Sequence, residues 1–248
     1  MTKKVPTLAK RILVIIAASI ALLLFAAIWY VNDYFRADGQ ALSAIADENG
    51  RSDGVEVRKL SNGDYAFIPD RAIAGLVFYP GAKVQPEAYA PLMEECAKQG
   101  LLCVLLKPAF NLAIIDMDAA DGTFEQFPEI GSWIVAGHSM GGVAAADYAA
   151  RHVGRFDGVV FLASYPACDL GDFDGKVLSI VGDNDRILNR QKAQEARDNL
   201  PAEAQELIIK GGNHAFFGNY GEQPNDGAAA ISRAEQQTQT AEAIANLV

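Results

Sequence analysis

The chain has 248 residues, of which 50% are hydrophobic and 21% charged, and this composition excludes a disordered chain and fits one sizeable domain with an appendage. The formal net charge is −10, but residues 1–36 carry five basic residues and one acidic residue, which leaves 16 basic and 30 acidic residues, a net charge of −14, in residues 37–248. An acidic body of this kind repels phosphate backbones, so we expect no nucleic-acid partner.

Residues 12–31 form an uncharged segment, ILVIIAASIALLLFAAIWYV, with Ser19 as its polar interruption. As a helix that rises 1.5 Å per residue it is about 30 Å long, which matches the hydrocarbon core of a bilayer. Basic residues precede the segment, and Trp29 and Tyr30 lie near its far end. The positive-inside rule therefore places residues 1–11 in the cytoplasm and the main domain outside. We predict a single-pass, uncleaved membrane anchor.

A cleaved signal peptide is the main alternative to an anchor. Its apolar region usually has about 7 to 15 residues and ends at a small-x-small cleavage site. Here the apolar run is longer, and the bulky residues Ile28, Trp29 and Tyr30 close it without such a site. A buried core helix is disfavoured because the segment has no polar face.

Residues 32–54 are polar and rich in turn-forming residues, which predicts a stalk, with the folded domain (55–248) beginning near Val55. The runs 55–60 and 64–68 are β-type and are separated by Ser-Asn-Gly. An Asn-Gly pair between two such runs is typical of a hairpin, so we predict an antiparallel edge at the start of the domain.

Beyond the hairpin, short apolar runs alternate with helical stretches. The runs show no polar alternation, as expected for strands that helices cover on both faces. We predict strands at 75–79, 101–106, 133–136, 158–163, 177–181 and 207–209. We predict helices at 86–99, 141–152, 189–199 and from Ser232, where Ser-Arg-Ala-Glu has capping-box form. This order indicates an α/β fold with a mostly parallel sheet flanked by helices.

The most informative motif is Gly137-His138-Ser139-Met140-Gly141-Gly142, which lies between a predicted strand and a predicted helix. A G-x-S-x-G sequence in this position is typical of a nucleophile elbow, in which glycines allow the tight turn that presents the serine hydroxyl above the sheet edge. Ser139 is therefore the candidate nucleophile.

A serine nucleophile needs a base, and the chain has three histidines. His138 adjoins the nucleophile and is expected to point elsewhere on a sharp turn, while His152 lies three helical turns from Ser139. His214 remains, in a loop just after the last predicted strand, where parallel topology brings strand ends to one rim. A surface or core histidine without a catalytic role is the alternative for His214.

An acidic residue must orient the imidazole. The sequence Gly182-Asp183-Asn184-Asp185 follows the predicted strand 177–181, at the same rim. We choose Asp185 as this acid, with Asp183 as the second candidate. Turn formation alone is the alternative role for Asp183.

Attack on an ester or amide carbonyl creates an oxyanion, which two backbone N–H groups usually stabilise. The amide of Met140, directly after the nucleophile, is one candidate donor. The loop at residues 79–83 follows an early predicted strand and is placed to supply the other donor. Because Pro80 has no N–H, we predict that Ala82 is the second donor.

With these features, residues 55–248 resemble an α/β-hydrolase and are similar to the small membrane-anchored serine hydrolases of that superfamily. The stretches that carry the resemblance are residues 79–84, 107–113, 137–142, 182–185 and 212–221. The chain order of nucleophile, acid and base is also that of α/β-hydrolases. The resemblance implies an eight-stranded fold, with Ser139, Asp185 and His214 at the family's nucleophile, acid and base positions.

Two departures from common family members bear on the site. Many members have His-Gly where this chain has Pro80-Gly81, so the family pattern does not identify the second oxyanion donor. Lidded esterases often carry a cap domain after the strand that follows the nucleophile helix, but here residues 164–176 alone separate two predicted strands. We therefore expect an open or shallow site. Phe110 and Asn111 follow a strand end and are candidates for substrate binding, with a structural loop as the alternative.

Every role in acyl transfer to water thus has a candidate. We expect hydrolysis of an ester, thioester or small amide of a small-molecule or lipid-like substrate, through an acyl-enzyme on Ser139. This chemistry needs no cofactor or metal, and three cysteines without C-x-x-C spacing indicate neither a zinc site nor a disulfide framework. An acyltransferase that uses the same intermediate and a membrane-tethered, non-catalytic binding module are the alternatives.

Overall fold

The computed structural model describes residues 7–46 and 50–248, which belong to two compact units divided between Tyr34 and Phe35. The first unit contains helix α1 (Thr7–Asn32), in which none of the residues 8–32 is buried. This helix includes the predicted segment 12–31 and is long and apolar enough to cross a membrane, a property that anchors and signal sequences share. Of the predicted cytoplasmic residues 1–11, residues 1–6 lie outside the described residues.

The second unit is built on a sheet with nine strands in the part of the chain that the structure describes. The strands are β1 (Arg51–Ser52), β2 (Val55–Lys59), β3 (Tyr65–Pro69), β4 (Ala74–Tyr79), β5 (Leu101–Leu105), β6 (Trp133–His138), β7 (Gly158–Leu162), β8 (Lys176–Gly182) and β9 (Gln205–Ile209). The helices are α2 (Gly39–Ala44), α3 (Ala90–Lys98), α4 (Thr123–Gln126), α5 (Met140–Arg151), α6 (Arg190–Glu195) and α7 (Arg233–Ala245). Short 3₁₀ turns cover Pro86–Tyr89, Ala109–Asn111, Ala113–Ile115, Ala196–Asn199 and Ala215–Phe217.

The strands lie in the order β1-β2-β3-β5-β4-β6-β7-β8-β9. The pairs β1–β2, β2–β3 and β3–β5 are antiparallel, whereas every other pair of neighbouring strands in the sheet is parallel. Gly63 supplies the positive φ of +97° at the turn that joins β2 to β3. The predicted hairpin and the mostly parallel α/β sheet are confirmed. The two-residue strand β1 is an addition to the eight strands that the resemblance implies.

Strands β4 to β7 are completely buried because helices cover both faces of the sheet around them. On one face, Leu76 and Ile134 belong to a core that includes side chains of α3 and α7. On the other face, Val77 and Val135 belong to a core that includes the alanines of α5. Burial on both faces is the physical reason why these strands are continuous apolar runs in the sequence.

The second unit begins earlier in the chain than the predicted start at Val55. Phe35 forms an isolated parallel β-bridge with Val84, and Ala41 and Ile45, one helical turn apart, are buried. Ile45 belongs to the same core as α3. The predicted stalk 32–54 is polar overall. Its composition therefore does not reveal that a few apolar side chains within residues 35–45 pack against the rest of the second unit. Residues 47–49 lie outside the described residues.

The predicted helices are present with shorter bounds. The predicted helix 86–99 is a 3₁₀ turn followed by α3, and 189–199 is α6 followed by a 3₁₀ turn. Ser232 caps α7 as predicted, because its Oγ accepts a hydrogen bond from the Glu235 amide (3.1 Å). Residues 163–175, which join β7 to β8 and are all described, contain no helix or strand. No cap domain is therefore inserted at this point.

Candidate active site

Three residues singled out in the sequence lie at the carboxyl edge of the parallel sheet. Ser139 directly follows β6, Asp185 follows the end of β8, and His214 follows the end of β9. Because neighbouring parallel strands end at the same edge, the topology gathers these three loops although they are far apart in the chain.

Ser139 has the strained backbone of a sharp turn between strand and helix, with φ 52° and ψ −124°. A non-glycine residue in such a conformation costs about 1–3 kcal/mol and persists when its surroundings enforce it. The Ser139 amide donates to the Leu162 carbonyl (2.9 Å), and the Ser139 carbonyl accepts from the Gly142 amide (3.0 Å) and the Ser164 hydroxyl (2.6 Å). These three bonds hold the turn.

Gly137 and Gly141 allow this turn to close. A Cβ on Gly137 would clash with the backbone of Gly141, and a Cβ on Gly141 would clash with the carbonyl oxygens of Tyr79 and Pro80. The glycines let the start of α5 pack directly on β6 and on the end of β4. This close approach is the physical reason for the spacing of the motif.

His214 and Asp185 are in direct contact. His214 Nδ1 lies 2.9 Å from Asp185 Oδ2, and both side chains are almost completely buried. Asp185 Oδ1 accepts hydrogen bonds from the amides of Ile187 and Leu188, each 2.8 Å long. Burial opposes ionisation of Asp185, but the hydrogen bonds from His214 and the two amides outweigh it, so the pKa of Asp185 lies below its usual value.

This pairing settles the tautomer of the imidazole. Because the Asp185 carboxylate is ionised at neutral pH and only accepts hydrogen bonds, the proton of a neutral His214 resides on Nδ1. Nε2 is then the basic nitrogen. A histidine held in this way is suited to accept a proton from a hydroxyl.

The alternative residues have other partners. Asp183 accepts a hydrogen bond from the Gly211 amide (2.6 Å), so it supports the turn after β9 and does not contact the imidazole. His152 lies at the end of α5, where its Nδ1 is 2.8 Å from the Tyr148 carbonyl and its ring stacks on the Tyr148 ring with centroids 4.0 Å apart. Of the candidate acids, Asp185 is the one that contacts His214.

His138 connects the nucleophile turn to the histidine loop. Its buried ring lies 4.5 Å from the ring of His214, centroid to centroid, and its Nδ1 is 2.7 Å from the hydroxyl of Tyr89. Ser139 itself is partly exposed, and its hydroxyl forms no hydrogen bond with His214 or with any other described residue. A hydroxyl and its base are often this loosely arranged before substrate binds.

The backbone amides of the two predicted oxyanion donors, Met140 and Ala82, have no hydrogen-bond acceptor in the part of the chain that the structure describes. In the loop of Ala82, the Gly81 amide donates to the Tyr89 hydroxyl (3.1 Å) and the Lys83 amide donates to the Asn111 carbonyl (2.8 Å). Ala82 is therefore the residue of this loop whose amide remains available.

Phe110 and Asn111 lie beside the same loop, through the bond between Asn111 and Lys83. Lys83, Phe110 and Asn111 have φ values of 57°, 57° and 56°. Non-glycine residues in the left-handed region indicate backbone strain in both of these adjoining loops. Phe110 is 62% exposed, so its ring is open to an external molecule.

Two residues that hold the histidine loop are missed by sequence reasoning. Gln236 of α7 is fully buried, and it accepts from the Asn213 amide (3.0 Å) and donates to the Asn213 carbonyl (2.9 Å). Asp226 accepts from the amides of Ala215 (2.9 Å) and Arg186 (3.2 Å), which joins the histidine loop to the Asp185 loop. No local motif marks them, because the partners lie up to 23 and 40 residues away.

A groove of about 620 Å³ begins beside the nucleophile turn and crosses β8 and β9. Its lining includes Ser164, which is bonded to the Ser139 carbonyl, and Leu188, which is bonded to Asp185. Within the described residues, no group of three or more His, Cys, Asp or Glu side chains is placed to hold a metal ion.

Residues 75–238 match the alpha/beta hydrolase family. Similar solved structures include a dienelactone hydrolase from Anabaena variabilis (17% identity, TM-score 0.57), a CIB-like hydrolase from Thermoplasma acidophilum (15%, 0.56) and an esterase domain from Rhodothermus marinus (12%, 0.56). The alignments cover 78%, 78% and 77% of this chain and 97%, 100% and 95% of those chains. At such identities they show a common fold. Comparison with curated protein sequences gives no match. The family match spans more than half of the chain, and the chain therefore belongs to the alpha/beta hydrolase family.

Proposed function

We propose that this hydrolase cleaves an ester, thioester or small amide through an acyl-enzyme on Ser139. The observation that carries the proposal is the buried contact of 2.9 Å between His214 and Asp185, at the sheet edge where the strained Ser139 turn lies. The pair leaves a basic Nε2 on an imidazole that an ionised carboxylate orients, which is the arrangement that activates a serine.

Acylation begins when Ser139 Oγ attacks the substrate carbonyl carbon and its proton passes to His214 Nε2. The Asp185 carboxylate stabilises the imidazolium through the hydrogen bond at Nδ1. The carbonyl oxygen becomes an oxyanion, and the free amides of Met140 and Ala82 are its donors in this proposal. When the tetrahedral intermediate collapses, the bond to the leaving group breaks and His214 returns the proton to that group.

Deacylation repeats these steps with water as the nucleophile. His214 removes a proton from water, the hydroxide oxygen bonds to the acyl carbon, and the ester bond to Ser139 breaks. The proton then returns to Oγ, so the enzyme is regenerated and the acid is released. Each proton that His214 accepts is donated again, and the cycle requires no other reactant.

The shape of the site suits a small-molecule or lipid-like acyl substrate. The groove beside the turn has an open form and includes Val181, Leu188 and Pro166 among its apolar lining residues. The lining also carries polar and charged side chains, among them Arg190, Arg197 and Glu206, so the groove offers both apolar contacts and hydrogen bonds to the non-reacting part of a ligand. We assign the groove to the acyl or alcohol portion, with Phe110 and Asn111 at the opposite side of the nucleophile.

The proposal is tested with the full-length chain in detergent micelles. We expect a fluorophosphonate to label Ser139, and p-nitrophenyl esters of graded acyl length to be hydrolysed. Ser139→Ala should abolish both signals. Products that carry an added alcohol or amine in place of water would identify an acyltransferase, and a wild-type chain that is neither labelled nor active would favour a binding module.

We further propose that α1 is an uncleaved anchor, with residues 1–11 in the cytoplasm and the hydrolase unit on the other side. The support is a helix from Leu8 to Asn32 that contains an 18-residue stretch with a mean hydropathy of 2.9, and basic residues precede that stretch. Mass spectrometry of the protein extracted from membranes should recover peptides from residues 12–31. A mature chain that starts beyond this segment would instead identify a signal peptide.

A further inference from the structure

Tyr89 is a fully buried residue whose role in the site is not evident from the sequence. It ends the 3₁₀ turn Pro86–Tyr89, and its ring packs against those of Phe78 and Tyr220 with centroids 5.0 and 6.4 Å away. Its hydroxyl is therefore enclosed, and burial raises the pKa of this phenol so that it remains protonated. A buried hydroxyl must find partners within the protein.

The hydroxyl of Tyr89 has two partners. The Gly81 amide lies 3.1 Å away and donates to the phenolic oxygen, and His138 Nδ1 lies 2.7 Å away. An amide of this kind is only a donor, so the single phenolic proton is directed to His138 Nδ1. We therefore assign the proton of a neutral His138 to Nε2, a buried atom that has no hydrogen-bond partner among the described residues. Burial and the neighbouring His214 lower the pKa of His138, in agreement with a neutral ring.

These two bonds connect the backbone segments that bear the proposed oxyanion donors. Gly81 directly precedes Ala82, and His138 lies two residues before Met140. A Cβ on Gly81 would lie 2.8 Å from the Tyr89 hydroxyl and 2.9 Å from His138 Nδ1, so glycine is needed for the three groups to meet.

We propose that Tyr89 is a positioning residue whose hydroxyl sets the spacing between the Ala82 and Met140 amides by holding Gly81 to His138. The inference rests on the proposed function of Ser139. Because the oxyanion exists only after attack on the carbonyl, misplaced donors weaken the transition state more than the bound substrate. Loss of the hydroxyl therefore lowers kcat and leaves KM nearly unchanged.

The test compares Tyr89→Phe with Tyr148→Phe in the full-length chain. Tyr148 is a matched control because its buried phenol also donates one hydrogen bond, to Asp121 (2.8 Å), away from the carboxyl edge. For Tyr89→Phe we expect kcat for a p-nitrophenyl ester to fall about 10- to 100-fold, with KM within about twofold. Affinity for a trifluoromethyl ketone, which forms a tetrahedral adduct with the serine, should fall in parallel with kcat. Tyr148→Phe should reduce the Tm by about as much as Tyr89→Phe does, but it should change kcat by less than about twofold.

Gly81→Ala is the second variant, because its methyl group displaces the hydroxyl without removing it. It should reproduce the fall in kcat. Equal kcat values for wild type, Tyr89→Phe and Gly81→Ala would overturn the inference, as would a loss confined to KM or shared by Tyr148→Phe. If the wild type is active and labelled at Ser139 in these cases, the inference about Tyr89 is wrong and the proposed function is retained. A wild type that is neither active nor labelled overturns the inference and the proposed function together.

Discussion

The nucleophile turn and the histidine loop are held by different kinds of contact. The turn at Ser139 depends on glycines within residues 137–142 and on hydrogen bonds to the ends of adjacent strands. The loop at His214 depends on Gln236, on Asp226 and on Asp185, which lies 29 residues earlier in the chain. A local motif therefore marks the turn that bears the proposed nucleophile, whereas the position of the proposed base depends on the tertiary structure.

The largest expected effect comes from a substitution in the Ser139 turn, the region that a local motif specifies. Ser139→Ala removes the attacking oxygen, so we expect turnover to fall about 10⁴-fold or more, as measured by ester hydrolysis. Ser132→Ala is the control, since that hydroxyl bonds to Asp157 near the start of the same strand, β6. Retained activity in Ser139→Ala would show that another residue is the nucleophile.

The next largest effect comes from a substitution at Asp185, which holds the histidine loop through a long-range contact. Asp185→Asn presents an amide to His214 Nδ1 and favours the wrong tautomer, so kcat should fall about 10³-fold while the fold is retained. Asp183→Asn is the matched control, because that carboxylate bonds to the Gly211 amide and not to the imidazole. If the two variants lose the same activity, the assignment of Asp185 is wrong.

Removal of a contact that supports the histidine loop should have a smaller effect on kcat. Gln236→Met keeps the volume but leaves the buried amide and carbonyl of Asn213 without this partner, at a cost of about 1–3 kcal/mol in the free energy of unfolding. We expect kcat to fall about 10-fold, because Asn213 directly precedes His214. Thr240→Val, which removes a hydrogen bond to the backbone carbonyl of Gln236 (2.7 Å), should lower stability but affect kcat less. An unchanged kcat in Gln236→Met would show that the loop does not need this contact.

The pH dependence of stability sharpens the role of Asp185. Its pKa in the folded protein lies below the usual 3.8, so the ionised carboxylate stabilises the fold above that pH, and this contribution is lost as the pH falls through the lowered pKa. Urea unfolding should give a difference between wild type and Asp185→Asn that is constant above about pH 5 and shrinks at lower pH. A difference that grows on acidification would contradict the sign of the shift.

The smallest effect concerns the start of the helix that supports the histidine loop. Ser232→Ala removes the cap on the Glu235 amide and should cost about 1 kcal/mol in the free energy of unfolding. Ester turnover should change by less than about twofold, because Gln236 keeps its own contacts. Differential scanning calorimetry with activity assays checks both values, and a loss of turnover as large as that of Gln236→Met would shift the explanation from Gln236 to the helix as a whole.

Most of the sheet could be predicted from the sequence because its strands are apolar runs buried on both faces. The segment 35–46 could not, since the burial of Ala41 and Ile45 depends on a surface that α3 provides. The same limit applies to His138. A sharp turn indicates that its side chain leaves the nucleophile, but only the packed structure places its ring beside His214 and Tyr89.

By itself, the sequence determined three features: a helix long and apolar enough to cross a bilayer, the alternation of strands and helices, and the glycine-bounded turn at Ser139. Each depends on residues within a few positions of one another, through hydrophobic length, periodicity or backbone freedom. The tertiary structure alone decided that Asp185 and not Asp183 contacts His214, and that the Ala82 amide has no acceptor among the described residues. These outcomes depend on which distant groups occupy the available donors and acceptors, and neighbours in sequence do not specify those partners.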